Sequence, residues 1–179
     1  MALEYAILVS LQERSGSGYE LARRFDRSIG YFWGATHQQI YRTLKRMVEL
    51  GWVDCDEVPQ DKRPDKKVYR VSATGAAELA RWLAEPATPP TVRNELSVKI
   101  RGASYGDVEQ VAAEIARHRT LHAQRLAVYR QIEQRDFPDP KRLSGQRLHQ
   151  HLVLRGGIRT EQAYVDWCDE VLAALADDR

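Results

Sequence analysis

Cysteine is scarce in this chain. Cys55 and Cys168 lie far apart and in no ligand-like spacing, so neither a disulfide framework nor a metal site is expected, and both fit a reducing compartment. Long hydrophobic runs are missing as well: nothing approaches the roughly 18 apolar residues of a membrane span. The opening MALEYAILVSLQER has no basic leader, and its apolar run is short and broken by an acid, which predicts a cytoplasmic protein. A one-sided charge is also absent. With 27 Lys and Arg against 25 Asp and Glu the net charge is +2, so any field that attracts nucleic acid has to be local. Catalytic signatures are lacking too: no nucleophile elbow, glycine-rich phosphate loop, HExxH or paired-carboxylate motif is present. No enzyme and no cofactor are expected.

What is present is an ordinary mixture, 43% hydrophobic and 29% charged over 179 residues, long enough for one large domain or two small ones. The most informative stretch is residues 36–51, THQQIYRTLKRMVELG. Ile40, Leu44 and Met47 recur at helical spacing and should point inward, while Gln38, Tyr41, Arg42 and Lys45 share the other face. Amides, a phenol and cations are groups that bond base edges and phosphates, as a helix in a DNA major groove must. His37 stands beside them at the start of the helix.

The flanking chain supports that helix. Residues 2–13 carry apolar positions on several sides and predict a first, buried helix; residues 14–18 predict a turn. Ser17 with Glu20 is a capping-box spacing that opens a second helix to about residue 28, with Leu21, Ala22, Phe25 and Ile29 inward and Tyr19 in its first turn. Tyr31, Phe32 and Trp33 read as an aromatic plug, and Thr36 with Gln39 repeats the capping box. After Gly51, residues 52–58 and 67–72 alternate with period two and predict short strands, joined by the proline-broken basic loop PQDKRPDK. Lys62, Arg63, Lys66 and Lys67 outnumber the acids there. Three helices and such a hairpin predict a winged helix-turn-helix. A fourth helix over residues 73–85, with Leu79, Trp82 and Leu83 inward, ends at Pro86.

These elements, ALEYAILVSL, SGYELARRF, GYFWGATHQQIYRTLKRMVELGWV and KVYRVSATG, follow one another through residues 1–85 and resemble the PadR family of bacterial transcriptional regulators. The resemblance implies transcription regulation by a homodimer on double-stranded operator DNA, usually as a repressor, with a variable C-terminal region. Matching positions imply that Tyr19, Gln38, Tyr41 and Arg42 face DNA, with Arg63 and Lys66 of the wing beside them. The family takes phenolic acids and planar cationic drugs as effectors, so a small aromatic effector is implied as well.

The expected architecture is therefore mainly α: a DNA-binding domain over residues 1–85, a proline-rich joint over 86–91, and a helical dimerisation and effector domain over 92–179. NELSVKIRGA resembles the short helix that opens the C-terminal region of the family's virulence-activator-like branch. A long helix over residues 107–134 has an apolar stripe at Val108, Val111, Ile115, Leu126, Tyr129 and Ile132, and His118 and His122 share it. Two histidines at that spacing without a third ligand read as imidazoles bonded across helices. A last helix over about residues 141–176, begun by Pro140, is apolar on two faces. Leu154, Ile158, Val165 and Leu172 line one. Leu148, Leu152, Gly156, Ala163, Trp167, Val171 and Leu175 line the other, the expected dimer interface, with Trp167 read as a dimer-core residue ahead of a ligand-pocket wall.

Gly156 and Gly157, each costing roughly 1 kcal/mol against alanine, mark close helix approach or a kink. Phosphate contacts from Tyr19, Arg63, Lys66 and Lys67 should supply affinity, and side chains near the start of the reading helix should choose the sequence of an inverted-repeat operator. The rival reading is a winged-helix module used only for protein contacts, which would leave the basic wing idle.

Overall fold

The computed structural model describes residues 2–27, 34–59, 66–89 and 93–177. Ile29, the aromatic plug of Tyr31, Phe32 and Trp33, and the wing residues Lys62 and Arg63 lie outside the described residues. The chain divides into two compact units, Met1–Pro89 and Pro90–Arg179.

In the first unit the order is α1 (Ala2–Glu13), β1 (Gly16–Ser17), α2 (Gly18–Arg27), α3 (His37–Glu49), β2 (Val53–Val58), β3 (Lys66–Val71) and α4 (Ala73–Leu83). α1 is buried on several sides through Tyr5, Ile7, Leu8 and Leu11, which meet Leu21, Ala22 and Phe25 of α2 and Ile40, Leu44 and Met47 of α3 in one apolar core. Tyr5 stacks on Trp82 of α4 with ring centroids 4.4 Å apart, and its hydroxyl donates to Glu78 at 2.8 Å. Gly51, at φ 68°, follows the last turn of α3 and ends it.

The sheet is three-stranded and antiparallel, ordered β1-β3-β2. Residues 14–18 thus correct the expectation of a plain turn: Gly16 and Ser17 pair with Tyr69 and Val68 and fasten the start of α2 to the wing. Two residues are too short a run to show alternation, so the strand had no sequence signal. Leu83 is a second correction. It is 66% exposed at the last position of α4, because the helix turns it past the edge of the core that Leu79 and Trp82 reach.

The second unit contains α5 (Glu95–Arg101), a 3-10 turn (Ala103–Tyr105), α6 (Val108–Asp136), a second 3-10 turn (Pro140–Arg142) and α7 (Gly145–Asp177). Asn94 caps α5 and Asp107 caps α6. Pro140 opens only the 3-10 turn; extended Leu143 interrupts the chain, and α7 begins at Gly145. Partners along α6 and α7 run in opposite order, Arg119 with Asp169, His122 with Glu161 and Glu133 with His151, so the two helices form an antiparallel hairpin. Its core is two small apolar clusters. Leu96, Ile115 and Cys168 form one; Leu126, Tyr129 and Ile158 form the other.

The face of α7 turned to α6 carries Ile158, Val165 and Cys168 together with His151 and Glu161. Trp167, Val171 and Leu175 pack on the first cluster of their own chain, so that part of the stripe assigned to a dimer already has an intrachain neighbour. Leu152 is 57% exposed, and Gly156 and Ala163 are exposed beside it. Gly157 is explained by close approach: a Cβ there would lie 2.9 Å from Cε2 of Tyr129.

Gly75 sets the other tight contact. It accepts no side chain because a Cβ would overlap the Trp52 carbonyl, 2.9 Å from its carbon and nearer its oxygen. Gly75→Ala should therefore cost about 1 to 3 kcal/mol through overpacking despite the better helix propensity of alanine. Denaturant unfolding measures it, and an unchanged midpoint would refute the contact.

Candidate nucleic-acid interface

The outer row of α3 follows from the inner one. With Ile40, Leu44 and Met47 fully buried, a helix advancing 100° per residue must turn Gln38, Tyr41, Arg42 and Lys45 to solvent, and all four are exposed, as is His37 at the first position of the helix. Thr36 caps the helix by accepting from the Gln39 amide at 3.2 Å while the Gln39 side chain accepts from the Thr36 amide at 2.8 Å. The first turn holds no carboxylate, contrary to the usual preference at a helix N-terminus, so the positive end of the dipole stays open to an anion. Buried Glu4 of α1 pairs with Arg46 and fastens the other end of α3.

Tyr19 is exposed on the first turn of α2, where Arg23 donates to its hydroxyl at 3.3 Å. Glu20 completes the first capping box, accepting from the Ser17 amide at 2.7 Å, while its own amide donates to Ser17 Oγ at 3.3 Å. It also does what spacing did not foretell. Its second carboxylate oxygen takes the Lys66 ammonium at 2.8 Å, so α2 holds the base of the wing.

The described wing is less basic than its sequence. Lys67 pairs with Glu57 at 3.5 Å, and Arg70 pairs with Asp54 at 3.6 Å and with Asp56. Register explains this, since Glu57 lies opposite Lys67 and Asp54 opposite Arg70 across the ladder. The acids of β2 were visible in the sequence, but their partners depended on strand pairing. Tyr69, between them, has its phenol pushed up, first by burial and then by the Cys55 thiol opposite it and by Tyr41.

In the C-terminal unit, His122 Nδ1 lies 2.6 Å from Glu161, which also takes Arg125 at 3.1 Å. His151 Nε2 and Arg155 share Glu133 at 3.0 and 3.2 Å. The first histidine is therefore paired across helices as its position suggested, while His118 stays with Glu114 of its own helix at 3.3 Å. No cluster of three or more potential metal ligands occurs among the described residues. Glu133 and Glu161 escaped the sequence reading because charged residues usually lie on a surface.

The Lys66 ammonium and the Ser17 amide hold the Glu20 carboxyl down at about 2 from 4.5. A folded value below the unfolded one means that this tether stabilises the fold above about pH 4.5 and loses its effect as pH falls toward 2. Glu20→Gln should flatten that acid-side loss in urea titrations. At neutral pH it should cost less than about 1 kcal/mol, since the pair is half exposed. Equal acid-side slopes in variant and parent would refute the assignment.

A family model described as the transcriptional regulator PadR-like family matches residues 7–81, and one described as virulence activator alpha C-term matches residues 92–176. Rv1176c of Mycobacterium tuberculosis, named a probable transcriptional regulator, is 54% identical with all of both chains covered. The virulence activator AphA of Vibrio cholerae is 35% identical over 99% of each chain, with a TM-score of 0.84. PadR of Bacillus subtilis, named a negative transcriptional regulator, is 29% identical over 98% of each chain. Its crystal structure in complex with operator DNA is similar with a TM-score of 0.86 at 27% identity, covering 98% of this chain and 99% of that one. The same protein in complex with p-coumaric acid gives 0.78 at 26%, covering 97% and 95%. The mainly helical fold with its small antiparallel sheet is the winged-helix architecture of these proteins, and no described helix is long and apolar enough to cross a membrane. This chain belongs to the PadR-like family of transcriptional regulators.

Proposed function

We propose that this regulator is a homodimeric repressor that reads an inverted-repeat operator with α3 and braces the phosphates with Tyr19 and the wing. The observation that carries the reading is the division of α3 into a fully buried inner row and an exposed outer row of amides, a phenol and cations, with no carboxylate in its first turn. His37, Gln38, Tyr41, Arg42 and Lys45 are the side chains placed to meet base edges and adjacent phosphates. Lys66 and Lys67, with Lys62 and Arg63, contact the backbone. The operator-bound form of the Bacillus subtilis relative supports a role on operator DNA. Repression follows from occupancy, since a dimer seated on a promoter blocks it without any further contact.

Leu148, Leu152, Gly156 and Ala163 form the centre of the dimer interface, with the outer edges of Trp167, Val171 and Leu175. Its support is the exposed apolar surface of Leu152 and Val153, and Gly156, whose missing side chain meets nothing within 4 Å in its own chain. A glycine that its own subunit does not use is accounted for by a second helix coming close. A small aromatic effector relieves binding, by analogy with the relative solved with p-coumaric acid.

Replacing Tyr41 and Arg42 together by alanine should abolish specific binding in a gel-shift assay while leaving the dimer folded. Retained specificity would instead favour a module for protein contacts. Affinity should fall steeply with salt, and removal of Lys66 or Lys67 should shallow the slope of log affinity against log salt by about 1 each. Leu152→Asp should yield a folded monomer by light scattering; a dimer that persists would place the interface elsewhere.

A further inference from the structure

We propose that Gly18 is a positioning residue for operator recognition: its missing side chain is the seat on which the Tyr41 ring rests, and the seat fixes where the phenol is offered to DNA. The inference rests on the reading of α3 as the DNA-facing helix. Gly18 is the first residue of α2 and is buried although it sits at a helix end. The Tyr41 ring covers it. A Cβ on Gly18 would come 3.1 Å from Cδ1 and 3.2 Å from Cζ of that ring, and closer still to Cε1, so even a methyl group requires the ring to move.

Tyr69 of β3 pairs in register with Gly16, two residues before Gly18, and its phenol lies near enough to Tyr41 for the two to interact. Tyr41 nevertheless remains 45% exposed. A ring seated on α2 has given up part of its rotamer freedom before DNA arrives, so less is lost when the complex orders it. Its direction is set by rigid elements rather than by the ligand. Tyr19, on the other side of Gly18, is held by Arg23, which donates to its hydroxyl and lies over its ring.

The experiment is a double-substitution cycle read by operator affinity and by thermal unfolding. Gly18→Ala in the parent should raise the operator Kd roughly tenfold, through the displaced and loosened phenol. In the single variant Tyr41→Ala, which keeps Arg42 and hence measurable affinity, adding Gly18→Ala should change Kd by less than about twofold, because the group it displaces is gone. Thermal unfolding should follow the same pattern: a lowered midpoint with Tyr41 present, and none without it, since alanine is the better helix former. Unchanged Kd in Gly18→Ala, or losses that add in the two backgrounds, would overturn the inference while leaving the DNA reading in place. A parent protein that binds no operator would overturn both.

Discussion

Complete burial of Ile40, Leu44 and Met47 is the constraint on which the DNA-binding unit depends. Each such side chain contributes about 1.5 to 3 kcal/mol on leaving water. The helix therefore cannot rotate without exposing them, and its opposite row is held out by the same term. α1 is the slab against which this happens, apolar on several sides because it also meets α2 and α4. The Thr36 cap and the Glu4–Arg46 pair then fasten the two ends of α3. A polar row on a rigid helix is what lets weak contacts to base edges add up, since little of their energy goes into ordering the protein.

Charge is arranged on the same principle of small local imbalances. The chain is nearly neutral, and the described wing cations each have a carboxylate nearby, Lys66 at Glu20, Lys67 at Glu57 and Arg70 at Asp54 and Asp56. Exposed pairs of this kind are worth about 0 to 1 kcal/mol, so exchanging a carboxylate for a phosphate costs little. The C-terminal hairpin uses charge differently: Glu161 holds His122 and Arg125, and Glu133 holds His151 and Arg155, each glutamate facing a histidine of the other helix. A shift of one turn would leave both carboxylates against the wrong groups in a poorly solvated seam, which pins the register of α6 and α7.

Much of this was legible beforehand in particular residues. Period 3.6 in residues 40–47 gave the two faces of α3, Thr36 and Gln39 gave its start, and alternation around Cys55 and Tyr69 gave the wing strands. The outer-row residues all stand exposed, and Ile115, Leu126, Tyr129 and Ile158 are buried in the hairpin. Legibility failed where a role depended on a distant neighbour. Gly16 and Ser17 looked like a turn because only β3 makes them a strand. Trp167, Val171 and Leu175 looked free for a second subunit because periodicity reports an apolar face and not which surface covers it.

By itself, then, the sequence determined most of each helix, the capping boxes of α2 and α3, the faces of α3, the wing strands and the family, because capping and helical periodicity act within about four residues and need no partner. Only the tertiary structure decided that Glu20 holds Lys66 across 46 residues, that Glu161 pairs with His122 across 39, and that Gly18 lies under Tyr41. The physical reason is range. A side chain announces its charge or volume locally, but desolvation and contact are set by whatever the folded chain brings against it. The helix of residues 36–51 carried its polar row from the start; the seat on which its tyrosine rests came from a glycine on another helix.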